Sequence, residues 1–242
     1  MVFISDLHIP YEDKKAVELV LNFIADFKPS ILILGGDMLD FMGLSRFSKD
    51  PKRALTTQDD IDKLSELLIK LRTMLPNSEI VYLEGNHEYR MVTYKWTKCP
   101  ELSYIKALTL QKLLKLDELN IKFIPYTKYY NYKKLFFVHG DVISKHSGQT
   151  AKNMLDKWGV NIICGHSHRT GKCNKTTMSG NQGAWESGCL CDTNPEYIKG
   201  RANWQTGFSI VEYYKDKIFY VNNIDIVNRS FIHGGRYYTL AG

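Results

Sequence analysis

Five short clusters of aspartate, histidine and asparagine punctuate this sequence, each just after a run of apolar residues. They are Asp6-Leu7-His8, Gly36-Asp37 with Asp40, Gly85-Asn86-His87-Glu88, His139-Gly140-Asp141 and Gly165-His166-Ser167-His168. Carboxylate, imidazole and amide groups suit borderline divalent ions, whereas closed structural zinc sites draw on thiolates. One carboxylate can bridge two ions roughly 3.5–4 Å apart, as hydrolases with paired metals require. Asp6 and His8 are two residues apart, so an extended backbone would aim both the same way, and His166 and His168 repeat that spacing. Taken singly, Asp-x-His is a loop pair or helix cap, Gly-Asn-His is a turn, and His139 could be a satisfied core histidine. Five such clusters, each at the end of an apolar run, point instead to one metal centre.

Those apolar runs are the elements that must position the clusters. Val2 to Ile4, Ile31 to Leu34, Ile80 to Leu83, Leu135 to Val138 and Val160 to Cys164 read as buried strands. Ligands of open α/β sheets gather beyond the carboxyl ends of such strands. Ala16, Val17, Val20, Phe23, Ile24 and Phe27 recur at helical spacing, closed by Pro29. Ile61, Leu64, Leu67, Leu68, Leu71 and Met74 repeat the pattern up to Pro76-Asn77. Spacing from Leu102 to Leu116 predicts another helix, and Thr150 to Trp158 one more. Ile121 to Ile124, Tyr129 to Tyr132, Phe208 to Tyr214 and Ile218 to Val221 read as strands, the last two around a Lys215-Asp216 turn. The polar, aromatic tail from Asn228 has no assignable pattern. Two stacked mixed sheets with helices outside would accommodate this order, as a single domain over residues 1–242.

In this order, Asp-x-His, Gly-Asp-x-x-Asp, Gly-Asn-His-Glu, His-Gly and Gly-His-x-His resemble the calcineurin-like metallophosphoesterase superfamily. The motifs span Asp6 to His168. His139 through Lys145-His146-Ser147 to Gly165-His166, with the later Gly188-Cys189-Leu190-Cys191, is similar to phage and prophage members. The resemblance implies a four-layer αββα sandwich. It implies one metal on Asp6, His8 and His168, a second on Asn86, His139 and His166, and Asp37 bridging them. His87 would be the general acid or the stabiliser of the leaving oxygen, oriented by Asp40. A hydroxide shared by two divalent ions would then attack the phosphate ester in line. Manganese is the expected metal, with iron, zinc, cobalt or nickel as alternatives.

At 242 residues, with 44% hydrophobic and 24% charged content, the chain reads as soluble and globular. Its formal charge of +6 suits a polyanionic substrate. The leading expectation is therefore a phosphodiesterase or nuclease acting on nucleic acid or nucleotides. The alternatives are a phosphomonoesterase, including a protein phosphatase, and a non-catalytic scaffold. Five cysteines without framework spacing read as reduced thiols, with Cys189 and Cys191 as packing residues. No apolar stretch is long enough to span a membrane, so no membrane partner is expected, and the expected compartment is the cytoplasm, the host's if the chain is phage-encoded. Residues Met1 to Ile4 run straight into a motif, so no secretory leader is expected, and the short opening strand leads us to expect a few residues upstream. No feature specifies an oligomeric state. Arg90, Arg169, Lys145 and His146 could contact phosphate, and Arg46, Lys49, Lys52 and Arg53 could steer a polyanion. Trp96, Trp158, Trp185 and Trp204 could stack on bases, with core packing the default for most of them.

Overall fold

The computed structural model describes residues 1–46, 56–178, 180–194, 200, 202–215 and 218–240. Lys49, Lys52, Arg53 and Asp216, singled out above, lie outside the described residues. In chain order the elements are β1 (Val2–Ile4), α1 (Lys14–Phe27), β2 (Ile31–Leu34), α2 (Thr57–Met74), β3 (Glu79–Leu83), α3 (Arg90–Lys98), α4 (Leu110–Leu113), β4 (Ile121–Ile124), β5 (Tyr130–Tyr132), β6 (Leu135–Val138), α5 (Gln149–Trp158), β7 (Asn161–Cys164), β8 (Thr170–Thr177), β9 (Gly180–Ser187), β10 (Gly207–Tyr214), β11 (Ile218–Asp225), β12 (Ser230–His233) and β13 (Arg236–Thr239).

Two mixed sheets carry the chain. A six-stranded sheet runs β11-β10-β1-β2-β3-β4 and a five-stranded sheet runs β5-β6-β7-β9-β8. Strands β1 to β4 pair in parallel, as do β6, β7 and β9, while β10, β11, β5 and β8 pair antiparallel to their neighbours. Alternation of side chains sorts each strand between two layers. Phe3, Ile33, Val81 and Leu83 point from the first sheet to Leu135, Phe137, Ile163 and Trp185 of the second. Val2, Ile4, Leu32, Leu34, Ile80 and Tyr82 face the other way, onto the apolar sides of α1 and α2. Ile162, Cys164 and Ala184 of the second sheet meet Ala151, Met154 and Leu155 of α5. The layers are therefore helices, sheet, sheet, helix, which is the four-layer αββα sandwich.

Local chemistry sets the helix ends. Asp13 caps α1 by accepting from Lys15 and Ala16 N–H groups, and Thr56 with Asp59 forms a capping box at α2. The helix expected over Leu102 to Leu116 is instead two short 3-10 turns, Pro100–Tyr104 and Lys106–Leu108, followed by the single turn α4. Leu102, Ile105 and Leu108 recur every third residue, the eclipsed spacing of a 3-10 turn. The tail from Asn228 holds the β12–β13 hairpin, whose Phe231 and Tyr238 pack on Phe23 of α1.

Candidate metal centre

Strands β1, β2, β3, β6 and β7 all end at one edge of the sandwich, and the five clusters meet there. They arrive on tight turns. Asp6, His8, Asp37, His166 and His168 all hold left-handed backbone, with φ of 55°, 51°, 49°, 67° and 56°. The expectation that an extended backbone aims Asp6 with His8, and His166 with His168, is thus corrected: each pair converges through a strained turn. Such conformations persist where the surroundings over-determine them. Close approach completes the assembly. A Cβ on Gly85 would sit 2.2 Å from Asp37 N, and one on Gly165 would sit 2.5 Å from Asp6 Oδ2.

The donors fall into two sets that share an oxygen. On one side His8 Nε2 lies 3.0 Å from His168 Nε2, and these nitrogens lie 3.8 and 3.3 Å from Asp6 Oδ1. On the other, His139 Nε2 lies 3.0 Å from Asn86 Oδ1, and donor atoms of Asp37, His139 and His166 lie within 4.8 Å of one another. Asp37 Oδ2 stands between the sets, 3.3 Å from His139 Nε2 and 3.8 Å from His8 Nε2. The second oxygens are already occupied. Asp37 Oδ1 accepts from His87 N at 2.8 Å, and Asp6 Oδ2 accepts from His166 N at 2.9 Å and Ser5 Oγ at 2.6 Å.

This donor set fits divalent cations. Ligands about 2.0–2.2 Å from one ion stand roughly 3–3.5 Å from each other, close to the 3.0–3.8 Å separations seen here. Three of the imidazoles also direct their other nitrogen elsewhere. His139 Nδ1 donates to the Gly35 carbonyl, His8 Nδ1 faces Asp40 Oδ2, and His168 Nδ1 faces Cys191 Sγ. The Nε2 atoms of His8 and His168 face each other and Asp6, and that of His139 faces Asp37 and Asn86, a carboxylate-rich setting that favours positive charge. Protons supply some of it. Burial lowers the pKa of His139, but Asp37, Asp6 and the Gly35 carbonyl outweigh it and hold the ring at about 9. Burial likewise opposes the rise of His168, which Cys191 and Asp6 hold up to about 9. His166 goes the other way: burial and the neighbouring His139 push it down to about 4. Asp37 is held well below the usual carboxylate range, because His139, His87 and His8 outweigh its burial.

Around the donors sit the remaining named residues. Asp40 Oδ2 lies 3.3 Å from both His8 Nδ1 and His87 Nδ1, so it orients two rings rather than one. His87 Nε2 accepts from Arg90 Nη2 at 2.9 Å, which leaves its proton on Nδ1, facing the Asp40 carbonyl at 3.0 Å. Its pKa is lowered, by burial first and by His8 and Arg90 as well. Arg90 also donates to the Asp40 carbonyl at 2.7 Å. Arg169 donates to the Ser167 carbonyl at 3.2 Å, and Lys145 and His146 are exposed on the loop that Ser147 joins to Gln205. Trp204 stands edge-on to His168 with centroids 4.3 Å apart, Trp185 is buried between the sheets, and Trp96 is 57% exposed. Tyr126, Val138, His139, Met154 and Trp158 line a cavity of about 210 Å³ beside the Asn86 side of the centre.

Two cluster residues face away from the donors. Glu88 is fully buried and accepts from the N–H groups of Asp37, Met38, Leu39 and Gly85 and from the Tyr82 hydroxyl. It ties the Asp37 turn to the Asn86 turn. Asp141 pairs with Lys157 on the surface. Sequence reasoning also passed over two residues. Glu186 accepts from Ser167 Oγ and from the N–H groups of Gly148 and Ala151, joining the His166–His168 turn to α5. Cys191, read as packing, is buried but also backs the ligand-like His168; its place two residues after Cys189 gave no signal of this.

Residues 1–234 match the calcineurin-like phosphoesterase family. The Gene 54 protein of Mycobacterium phage L5 is 30% identical over 225 residues, covering 87% of this chain and 88% of that protein. The Gene 54 protein of Mycobacterium phage D29 is 30% identical over 226 residues, with the same coverage. Among solved structures, Chaetomium thermophilum Vps29 is similar with a TM-score of 0.45 and 13% identity, covering 93% of this chain and 85% of that one.

Proposed function

Because this chain belongs to the calcineurin-like phosphoesterase family, and is therefore a metal-dependent phosphoesterase, we propose that it is a dinuclear phosphodiesterase acting on nucleic acid or nucleotides. We read residues 1–242 as one such domain, since its donors come from both sheets. One ion would be held by Asp6, His8 and His168, the other by Asn86, His139 and His166, with Asp37 shared. The observation that carries the dinuclear reading is Asp37 Oδ2, a single oxygen within 3.8 Å of donors from both sets. Its mixed oxygen and nitrogen donors suit borderline divalent ions such as manganese, iron, cobalt or zinc, and we take manganese as the first choice.

When bound, the ions would supply Lewis acidity, making hydroxide available near neutral pH and offsetting the charge of the phosphate. The chain's own residues then govern the leaving oxygen. His87 stands beside the shared Asp37, fixed through Nδ1 by Asp40. Once Arg90 turns to a phosphate oxygen, Nε2 is free to take a proton from solvent, and the imidazolium, favoured by Asp37 and Asp40, gives that proton to the departing alkoxide. The formal charge of +6 supports a polyanionic substrate, and the mycobacteriophage relatives support a phage-encoded protein acting inside the infected host.

The test compares metal-loaded protein on bis-p-nitrophenyl phosphate and p-nitrophenyl phosphate, with manganese and with zinc. Faster diester turnover with manganese is expected; a large monoester preference would overturn the diesterase. Asp37→Ala should lower the content of both ions, and a variant that retains two per chain would overturn the shared ligand.

A further inference from the structure

A row of aromatic rings leads away from the Asn86 side of the centre. It begins at His139, whose centroid lies 6.4 Å from that of Tyr126. Tyr126 is 5.3 Å from Tyr89, and Tyr89 is 6.0 Å from Trp96 with its ring almost perpendicular. Helix α3 carries the outer part of this row. It starts at Arg90, directly after the Asn86-His87 turn, and buries only Met91. Trp96, 57% exposed, shares a face with Tyr89, while Tyr94, 38% exposed, projects from another side of the helix, and Tyr104, 83% exposed, follows on the next turn. Tyr126, Tyr89 and Trp96 form a contiguous row that ends in an open ring, and a contiguous open patch of this kind marks a surface with a partner.

Charge identifies the partner. From Arg90 to Lys106 there are four cations, Arg90, Lys95, Lys98 and Lys106, against one anion, Glu101. Lys98 and Lys106 are exposed. Interleaved rings and cations suit a chain with flat faces and a phosphate backbone, and single-stranded nucleic acid offers both. A duplex hides its base faces in the stack. We propose that α3 and the turn after it, with Tyr89 and Tyr126, form a stacking platform that leads single-stranded nucleic acid to the metal centre. The platform's direction toward the centre rests on the nucleic-acid diesterase reading; its existence as a binding surface does not.

The experiment measures fluorescence anisotropy of a labelled phosphorothioate oligothymidylate of about fifteen nucleotides, which resists cleavage, on metal-loaded protein. The unlabelled single strand and the matching duplex serve as competitors. Trp96→Ala should weaken binding about tenfold, the loss of one stacked base. Lys98→Ala should lower the salt slope by about 0.7. Both residues are exposed, so melting temperatures should match wild type. Binding by Trp96→Ala within about twofold of wild type, or a duplex that competes as well as the single strand, would overturn the platform. Hydrolysis of thymidine 5′-p-nitrophenyl phosphate by wild type is read in parallel. Hydrolysis without a Trp96 effect removes the platform and keeps the diesterase; a Trp96 effect without hydrolysis keeps the platform and removes the diesterase.

Discussion

Replacing Glu88 by glutamine changes one atom in a carboxylate that holds two catalytic-edge turns together. Oε1 accepts from Met38 N at 2.6 Å, Leu39 N at 3.0 Å and Tyr82 Oη at 2.8 Å. Oε2 accepts from Asp37 N at 2.9 Å and Gly85 N at 3.0 Å. All five partners donate, and glutamine must turn an NH2 toward one of these groups. Its better choice is the Oε2 side, where two backbone N–H groups lose their acceptor. Each buried donor left unpaired costs about 1–3 kcal/mol, so the variant should lose about 2–6 kcal/mol. That is a large part of the 5–15 kcal/mol typical of a whole domain. Urea denaturation with and without manganese reads it as a fall in midpoint at unchanged slope. Tyr82→Phe removes one donor and leaves the carboxylate four, so it should cost only about 1 kcal/mol. Stability of Glu88→Gln within about 1 kcal/mol of wild type, with metal uptake intact, would refute this account of the turn.

His87→Ala should lower kcat about 10²–10⁴-fold while metal content measured by emission spectrometry stays near wild type; loss of bound metal would make His87 a ligand instead. The metal-free protein should grow less stable as pH rises from about 6.5 to 9. His139 and His168 have pKa values raised to about 9 when folded. The stability from their protonation is therefore full below the unfolded value near 6.5 and lost as pH passes the folded one, at about 3 kcal/mol for each shift. They share Asp6 as a partner, so the total falls short of twice that. Melting scans at fixed ionic strength should show the decline without metal and a weaker one with manganese. A flat metal-free profile across this range would contradict the charge assignment.

The donors were legible because each type of side chain is rare after an apolar strand and five recur in order. The sandwich was legible for the same reason, since Val2 to Ile4, Ile31 to Leu34 and Ile80 to Leu83 have to be buried on both faces. What escaped was decided by tertiary contact. Helix α3 buries only Met91, so it carries no apolar stripe to detect. Glu88 stood only as a member of the Gly85-Asn86-His87-Glu88 cluster and Glu186 carried no signal, and the fold shows both accepting from backbone N–H groups. The β12–β13 hairpin depends on Phe23, more than two hundred residues away in sequence. Asp40's second ring, His8, likewise lies on another strand's turn.

Since Asp6 and Asp37 follow strands of one sheet while His139, His166 and His168 follow strands of the other, cations seated among them would pin the two stacked sheets together at that end. Separation of the layers would then require release of the ions. Chelation should accordingly expose the amides of Phe137 and Ile163, whose side chains pack between the sheets, to deuterium sooner than those of Leu64 and Leu68, which lie within α2 on the far side of the first sheet.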